Sequence, residues 1–451
     1  MKKTKAYISQ KNGMEMLTLK ADISFEQDKE TENHVISLYP DVQYQEILGF
    51  GGAFTETSAF NYSKMSPGQQ KKIVDAYFNK ETGLGYNFCR THIHSCDFAI
   101  DRYTYTDDGD VSLDSFSVDR DRKYILPFIK AANQTAKDLY LFASPWSPPG
   151  WMKDTGELCC GGKLKQEYAE CWARYMVKYL EEYKKEGISF FGITVQNEAK
   201  AWQTWESCQY TAEEEAEFVV KYLKPALEKS GFGDVRIMIW DHNKERIYDR
   251  SCDSFSVPGA KEAVWGIAFH WYSGDHFEAL DMTYNAFPDK PLILSEFCLG
   301  GARGETAKGP HSSWDGVEIY ASEIIGDFNH FMAASVDWNM IVDEDGGPYH
   351  DRPRGCKAQI VVDPEKDSFI LEPTYYTVAH FSKFVERGAR RIGCSSFSEK
   401  MKAVAFKNPN GNVIVVVLNC TEKADEISLK IADDMAKVTM PAKSLATFII
   451  E

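Results

Sequence analysis

The sequence lacks any uninterrupted run of the roughly 18 apolar residues that a membrane-spanning helix requires. It also lacks an excess of basic residues, because 51 Lys and Arg stand against 67 Asp and Glu, a formal net charge of -16. Such an acidic chain is repelled by nucleic-acid phosphates and by anionic membrane surfaces. We therefore expect no nucleic-acid partner and no insertion into a membrane.

Cysteine spacings typical of a metal site are missing as well. The eleven cysteines are scattered and odd in number, and none forms a CxxC pair. The opening segment MKKTKAYISQKNGMEM is basic at its start but has no apolar stretch to complete a secretory signal. Unpaired thiols without such a signal favour a reducing compartment, so we expect a cytoplasmic location.

A recurring pattern of strand and helix runs along most of the chain, which has no short repeat and no low-complexity segment. The apolar positions of the strand segments are nearly continuous, as in parallel strands buried on both faces. Eight such units across about 330 residues predict an α/β fold, a (β/α)8 TIM barrel with long loops. The candidate strands are 47–54, 85–93, 138–144, 190–196, 235–240, 264–272, 291–297 and 333–338.

Helical patterns fill the segments between these strands. Thr211 and Glu214 have the spacing of a capping box, in which each side chain bonds the backbone N–H of the other residue. The apolar face of the following helix would consist of Phe218, Val219, Tyr222, Leu223 and Leu227. A second apolar stripe, ended by Gly187, consists of Tyr168, Cys171, Trp172, Tyr175, Met176, Tyr179 and Leu180.

Both ends of the chain have a different, strand-rich pattern. After about residue 388, MKAVAFK, NPNG and NVIVVVLN predict a hairpin, and EISLKI and SLATFII follow it. Two short strands, MEMLTLK and HVISLY, precede the barrel. We expect residues 1–45 and 388–451 to pair into one antiparallel β-sandwich beside a catalytic barrel of residues 46–387. Two independent flanking sheets are the alternative.

Two glutamates stand at the ends of candidate barrel strands, where barrel enzymes carry their chemistry. The fourth strand ends in Gln196-Asn197-Glu198, and the seventh ends in Ser295-Glu296. Hydrolysis of a glycoside with retention needs one protonated carboxyl group and one ionised carboxylate on opposite sides of the bond. Glutamates on strands four and seven can converge across the barrel mouth, although either could alone be a solvated loop residue.

Seven motifs in order extend this interpretation: GFGGAFTE, CRTHIHSCDF, ASPWSPPGW, TVQNEA, FHWYSGDHF, LSEFC and SVDWN. They resemble motifs of family 30 glycoside hydrolases, most of all the glucosylceramidase branch, and cover roughly residues 46 to 345. The resemblance implies that Glu198 is the acid/base and Glu296 the nucleophile. The family usually has Pro after the acid/base, whereas Ala199 follows here, which would loosen the loop without removing the chemistry.

The resemblance also implies functions for residues around the two glutamates. Arg90 would steady the nucleophile, although it could instead form a buried structural ion pair. Asp97 would bind sugar hydroxyls, with a turn-forming position as the alternative. Asn197 would donate to the sugar 2-OH, and Tyr272 would donate to the nucleophile and help hold it ionised.

Several further side chains are candidates for supporting the site. His270 could support the site, or it could be a core histidine whose ring nitrogens are hydrogen-bonded within the core. Trp146 and Trp338 would stack on a pyranose ring. Trp151 would form a pocket wall or simply pack. Trp202 and Trp205, after the acid/base, would face the leaving group or form an oligomer contact.

The function that we expect is that of a retaining, exo-acting β-glycosidase that prefers β-glucosides, with a small β-glycoside or oligosaccharide as substrate. A β-xylosidase or a β-1,6-glucanase of the same family remains open. We expect no cofactor and no metal. We also expect Glu296 to be ionised in the free enzyme and to raise the pKa of Glu198.

Two hypotheses from other functional classes are alternatives to the glycosidase. Barrel amidohydrolases assemble metals at strand ends, where this chain has His92, His94, His242, His270 and Asp337. Against this reading, the His-x-His pair follows the second strand candidate rather than the first. A non-catalytic carbohydrate-binding protein is the other alternative, and the presence of both glutamates argues against it.

Overall fold

The computed structural model describes residues 3–300, 313–350 and 355–451. In this part of the chain the strands form a closed eight-stranded barrel, a ten-stranded sheet and a small three-stranded sheet. The strands are β1 (Lys3–Gln10), β2 (Glu15–Ser24), β3 (Glu26–Gln27), β4 (Val35–Glu46), β5 (Gly49–Phe54), β6 (Phe88–Ile93), β7 (Tyr140–Pro145), β8 (Gly192–Thr194), β9 (Arg236–Asn243), β10 (Gly266–His270), β11 (Leu292–Glu296), β12 (Met332–Asn339), β13 (Ile341–Asp343), β14 (Ile360–Asp363), β15 (Ser368–Leu371), β16 (Arg390–Ser396), β17 (Met401–Lys407), β18 (Val413–Asn419), β19 (Asp425–Ile431), β20 (Asp434–Met440) and β21 (Ser444–Ile450).

Helices follow most of the barrel strands and cover the outside of the barrel. None of the described helices is long and apolar enough to cross a bilayer. The α-helices are α1 (Glu56–Lys64), α2 (Pro67–Phe78), α3 (Asp119–Lys123), α4 (Ile125–Thr135), α5 (Ala169–Lys185), α6 (Ala212–Phe218), α7 (Lys224–Lys229), α8 (Ile247–Ser256), α9 (Ala260–Ala263), α10 (Phe277–Ala286), α11 (Trp314–Asn329) and α12 (Pro373–Ser382).

Strands β5 to β12 pair in chain order and all run parallel, and β12 closes the barrel against β5, with Ser335 opposite Phe50. The predicted (β/α)8 barrel is therefore confirmed, and each of the eight candidate strands is a barrel strand. Their continuous apolar sequences reflect burial on two sides, by the barrel interior and by the helices. The carboxyl ends of all eight strands meet at one rim, where barrel enzymes place their active sites.

The capping box at the start of α6 is present as predicted. Thr211 Oγ1 accepts from the backbone N–H of Glu214 at 3.1 Å, and Glu214 Oε2 accepts from that of Thr211 at 2.8 Å. The single helix expected after it is interrupted, because a π-helical turn, Val219–Leu223, separates α6 from α7. Pro225 has no backbone N–H to continue the α-helical bonds, and the wider turn accommodates this loss.

The second unit is built from both ends of the chain, as expected. Its strand order is β2-β1-β21-β18-β17-β16-β4-β19-β20-β3. Strands from before the barrel (β1 to β4) are therefore interleaved with strands from after it (β16 to β21). Its pairings are antiparallel with one exception, since β19 runs parallel to β4, with Ser428 opposite Val35. The sequence patterns do not predict β1, β16 or β20.

Strand β18 shows why the segment VIVVVL is apolar at every position. Val413, Val415 and Val417 belong to the core of the ten-stranded sheet. Ile414 and Val416 point the other way and join the core shared with the barrel and its helices. Because side chains alternate between the faces of a strand, this one contributes to both cores and fixes the sheet against the barrel.

Candidate active site

The two glutamates predicted from strand ends lie on the carboxyl rim of the barrel. Glu296 is the last residue of β11, and Glu198 lies just beyond β8. The loop after β8 is tied to both neighbouring strands, because Asn197 N–H donates to Pro145 and Glu198 N–H to Asp241, each at 2.8 Å. Glu198 has a φ of +51°, an unusual backbone conformation for a side-chain-bearing residue that clusters at functional sites.

Arg90 connects the nucleophile candidate to the acid/base loop. One terminal nitrogen donates to Glu296 Oε2 at 2.8 Å, and the other donates to Asn197 Oδ1 at 2.9 Å and to Asp241 Oδ2 at 2.7 Å. Its Nε donates to Ser144 Oγ at 3.0 Å. The guanidinium is fully buried, so its charge is balanced by the two carboxylates rather than by water. Arg90 thus both orients Glu296 and forms a buried ion pair.

Tyr272 holds the other oxygen of the same carboxylate. Its hydroxyl donates to Glu296 Oε1 at 2.9 Å and lies 3.5 Å from Cys298 Sγ. Burial raises the pKa of Tyr272 well above its usual range, which keeps the hydroxyl protonated and able to donate. Both oxygens of Glu296 therefore have a fixed donor, and the carboxylate has a defined orientation.

Asp241 connects several side chains beneath the two glutamates. It is not among the site residues predicted from the sequence. Besides the contact with Arg90, its carboxylate accepts from Thr194 Oγ1 at 2.7 Å and from Ser295 Oγ at 2.5 Å. His270 Nε2 lies 3.0 Å from Asp241 Oδ1, the oxygen that also accepts from Ser295. Asp241 directly follows the candidate strand 235–240, so the strand-end rule that selected Glu198 and Glu296 could have found it.

Histidines surround Glu198. Its Oε1 lies 3.5 Å from His270 Nδ1 and 3.6 Å from His242 Nδ1, and its Oε2 accepts from Gln203 Nε2 at 3.2 Å. Burial alone would raise the pKa of Glu198, but the charges of His242 and His270 outweigh it and lower the pKa to about 2. Despite its burial, His270 has a pKa raised to about 9, chiefly by the charge of Glu296 and the bond to Asp241.

The expected protonation pattern is therefore wrong in this geometry. Burial raises the pKa of Glu296, while the charges of His270 and Arg90 act in the opposite direction. The pKa of Glu198 is lowered rather than raised, because the neighbouring imidazoles compensate its charge.

Aromatic side chains enclose the site on one side. Trp146 and Trp338 stack on each other, with ring centroids 5.2 Å apart, and both contact the Arg90 guanidinium, at 4.8 and 5.6 Å. Each is only 2% exposed, so one face of each ring is already covered. Their core also contains Phe98, and Trp205 packs against its edge. They form a rigid wall rather than two open stacking platforms.

The remaining predicted residues, Asp97, Trp151 and Trp202, lie in three different environments. Asp97 is buried between Cys96 and Phe98, both members of the same aromatic core, which places it at the site. Trp151 packs edge-on against Tyr168, at the start of α5, and thus beside the helical layer. Trp202 is 59% exposed, in the loop after Glu198.

The histidines do not assemble the set that an amidohydrolase would need. His92 Nε2 accepts from the backbone N–H of Glu56 at 2.9 Å, and His94 is bonded to Tyr175 and to the Ser147 carbonyl. Asp337 accepts from Tyr320 at 3.1 Å, away from all of them. The amidohydrolase alternative is therefore wrong in its ligand set, since only His242 and His270 come together.

Glutamates at the carboxyl ends of the fourth and seventh strands of a parallel barrel, each held by its own donors, provide the pair of carboxyl groups that a glycoside hydrolase needs. The family comparison gives the same class. The Glycosyl hydrolase family 30 TIM-barrel domain matches residues 47–385, and the Glycosyl hydrolase family 30 beta sandwich domain matches residues 388–448. The chain belongs to glycosyl hydrolase family 30, and it is a glycoside hydrolase.

Relatives of known name agree with this assignment. Lysosomal acid glucosylceramidase of Mus musculus is 33% identical over 433 residues, which cover 92% of this chain and 83% of that protein. Putative glucosylceramidase 3 of Caenorhabditis elegans is 37% identical over 378 residues, covering 80% and 71%. The chain is thus glucosylceramidase-like, as its motifs indicated.

Solved structures are similar over nearly the whole chain. SrfJ from Salmonella typhimurium superposes with a TM-score of 0.95 at 32% identity, with 99% of each chain covered. The endo-beta1,6-glucanase BT3312 has a TM-score of 0.87 at 25% identity, again with 99% of each chain covered. The ten-stranded sheet belongs to the shared architecture as much as the barrel does.

Proposed function

We propose that this family 30 hydrolase is a retaining, exo-acting β-glucosidase, with Glu296 as nucleophile and Glu198 as acid/base. The observation that carries the proposal is the fixing of both Glu296 oxygens, by Arg90 at 2.8 Å and Tyr272 at 2.9 Å. A nucleophile must approach the anomeric carbon in one orientation, and two rigid donors supply it. Because Arg90 is also positively charged, it favours the ionised form that attacks.

Glu198 is suited to the proton transfers of both steps. It lies in the loop after β8, which two intervening strands separate from β11, and its carboxylate is held by Gln203 on one side and faces His270 on the other. Before the leaving group departs, Glu198 must be protonated so that it can act as the general acid. In the second step the same carboxylate would take a proton from water.

Asn197 is placed to bind the sugar 2-OH. Its Oδ1 accepts from Arg90 at 2.9 Å, which orients the amide so that Nδ2 is available to donate. A hydrogen bond to the 2-OH strengthens as the anomeric carbon becomes positively charged. Arg90 thus positions both the carboxylate of Glu296, which would attack, and the amide of Asn197, which would bind the sugar 2-OH.

Support for an exo-acting β-glucosidase comes from two sources. The relatives at 33% and 37% identity are named glucosylceramidases. The aromatic wall of Trp146 and Trp338 is rigid and closes one side of the site, which suits a single terminal sugar. The similarity to an endo-beta1,6-glucanase makes endo-cleavage of β-1,6-glucan the second candidate.

Chemical rescue tests the two glutamate assignments. Glu198→Ala should nearly abolish hydrolysis of alkyl β-glucosides, whose leaving groups need a proton. With dinitrophenyl β-glucoside it should give a burst and then slow turnover, which azide restores while forming the β-glucosyl azide. Glu296→Ala serves as the matched control, since without the nucleophile azide cannot yield the β-product. An α-azide from Glu198→Ala, or no rescue, would show that the assignments are wrong.

A substrate panel tests specificity independently. Nitrophenyl β-glucoside, β-xyloside, β-fucoside and β-galactoside should be hydrolysed with the glucoside preferred and the xyloside cleaved more slowly. A missing hydrogen bond at a polar site costs several powers of ten, whereas a missing apolar contact costs much less, so the ratio reports how the hydroxymethyl group is held. Long β-1,6-glucan should release free glucose slowly. Rapid release of internal oligosaccharides would favour the endo-glucanase instead.

We also propose that the chain acts in the reducing cytoplasm. All eleven cysteines are unpaired, including the adjacent Cys159 and Cys160, whose sulfur atoms lie 3.5 Å apart. Neighbouring thiols of this kind persist where glutathione keeps them reduced. Cell fractionation followed by thiol labelling should recover the protein in the cytoplasmic fraction with all cysteines reactive after unfolding.

A further inference from the structure

Two histidines converge on the proposed acid/base, and together with it they form a group of three metal-binding side chains. Glu198 Oε1, His242 and His270 each offer one ligand atom, and the three atoms lie within 4.8 Å of one another. Glu198 Oε1 is 3.6 Å from His242 Nδ1 and 3.5 Å from His270 Nδ1. The residues come from three successive barrel strands or the loops after them, so rigid elements support all of them.

The imidazole nitrogens have the orientation that a metal ligand needs. Nδ1 of both His242 and His270 is buried and has no hydrogen-bond partner within the described part of the chain. The opposite nitrogen of His270 is bonded to Asp241 at 3.0 Å, and this bond fixes the ring so that Nδ1 points toward Glu198. A carboxylate behind a histidine in this way is the usual support of a metal-bound imidazole.

The spacing matches a particular coordination geometry. An ion at about 2.0–2.2 Å from nitrogen and oxygen donors in a tetrahedron holds those donors about 3.3–3.5 Å apart. The two measured separations from Glu198, 3.5 and 3.6 Å, are close to this edge length. Two imidazoles and one carboxylate also select against Ca²⁺ and Mg²⁺, which prefer all-oxygen sites, and in favour of Zn²⁺.

We propose that Glu198, His242 and His270 form a binding site for a borderline divalent cation such as Zn²⁺. Three protein ligands leave the fourth position to water or to a substrate hydroxyl. This site departs from the expectation, drawn from the sequence, that the chain binds no metal. The ion is a ligand that competes with catalysis rather than a cofactor of hydrolysis.

Occupation of the site has a consequence that rests on the proposed function of Glu198. A carboxylate bound to Zn²⁺ cannot carry a proton to the leaving group or take one from water. Zn²⁺ should therefore inhibit hydrolysis of alkyl β-glucosides strongly. It should spare the initial burst with dinitrophenyl β-glucoside, because that leaving group departs without a proton.

Direct metal binding tests the proposal without reference to activity. The purified full chain is titrated with Zn²⁺ in competition with a chromophoric zinc indicator, and one ion per chain should bind. His242→Phe preserves the ring that packs 5.0 Å from Trp240 but removes the ligand, so Zn²⁺ affinity should fall at least ~100-fold. His330→Phe is the matched control, since His330 lies elsewhere, paired with Asp281, and its loss should leave affinity unchanged.

Co²⁺ in place of Zn²⁺ identifies the ligand type, because eleven free cysteines could also bind soft ions. The proposed site should give the visible absorption of tetrahedral Co²⁺ without a thiolate charge-transfer band in the near ultraviolet. A thiolate band, equal affinity in His242→Phe, or no stoichiometric binding would each overturn the site. If Zn²⁺ binds as expected while no β-glycoside is hydrolysed, the proposed function fails and the metal site stands.

Discussion

The hydroxyl of Tyr272 donates to Glu296 Oε1 at 2.9 Å, the carboxylate oxygen that Arg90 does not contact. Tyr272 follows β10 and Glu296 ends β11, so two neighbouring strands hold the donor and the acceptor. The bond has two effects on the proposed nucleophile, since it fixes the plane of the carboxylate and stabilises its negative charge. Orientation is the effect that substitution should expose.

Removal of this hydroxyl should slow the first chemical step. We expect Tyr272→Phe to lower kcat with dinitrophenyl β-glucoside by about 10- to 100-fold, the rate equivalent of one hydrogen bond to a charged group, and to change KM little. Steady-state and burst kinetics measure both constants. Tyr222→Phe, which removes a surface hydroxyl bonded to Gln166, is the control and should behave as wild type. An unchanged kcat in Tyr272→Phe would contradict the orienting function.

Asn197→Ala should act on the transition state more than on ground-state binding. The amide held by Arg90 would lose its bond to the sugar 2-OH, and we expect kcat/KM for β-glucosides to fall on the order of 10²-fold. A 2-deoxy-glucoside is the internal control, because it has no hydroxyl at that position to lose. If the substitution costs the 2-deoxy substrate as much, the contact is not with the 2-OH.

A buried lysine near the site should be essential for stability. Lys244 directly follows β9, is fully buried, and donates to Glu323 and, at 2.7 Å, to Asp327, both on α11. Lys244→Met leaves two carboxylates without their cation, and we expect the free energy of unfolding in urea to fall by about 3–5 kcal/mol.

A surface pair provides the control for this measurement. Lys71 is exposed and pairs with Asp75 one helical turn away, so Lys71→Met should hardly change the free energy of unfolding. Equal effects of Lys71→Met and Lys244→Met would mean that the buried network contributes no more than an exposed pair.

Asp337 should make stability depend on pH. Burial raises its pKa from 3.8 to about 7, against hydrogen bonds from Tyr320 and the backbone of Trp338. The folded chain thus binds this proton more tightly than the unfolded chain, so the stabilisation is complete below 3.8 and is lost as the pH rises through 7. Asp337→Asn should show a flatter dependence of the urea midpoint between about pH 4 and pH 8. Parallel curves for the two proteins would contradict this.

The sequence was sufficient for the barrel because each of its strands is buried on two sides and therefore apolar throughout. It was insufficient for β1, β16 and β20, which are only seven or eight residues long and mix a few apolar residues with charged and polar ones. The partner of β1 on one side is β21, with Thr4 opposite Ile450, and no local pattern reveals a partner so distant in the chain.

The candidate site, too, could be predicted from the sequence only in part. The two glutamates were predicted from strand ends, because barrel topology brings these ends together, whereas Arg90, Asn197 and Tyr272 were implied by the resemblance to family 30 motifs. The protonation of Glu198 could not be predicted, since it depends on how two histidine rings are turned in a buried space. For Trp151 the sequence left a pocket wall and ordinary packing open, and its ring packs edge-on against Tyr168.

The interleaved order of the ten-stranded sheet has a consequence for synthesis on the ribosome. Strands β1, β2 and β4 are made first, but β1 needs β21 and β4 needs β16 and β19, all of which are made after the barrel. Until then the early strands expose unpaired edges, which are sites of aggregation. The barrel strands are synthesised before β21, so the barrel can begin to close first, whereas the sheet can be completed only once β21 has been made.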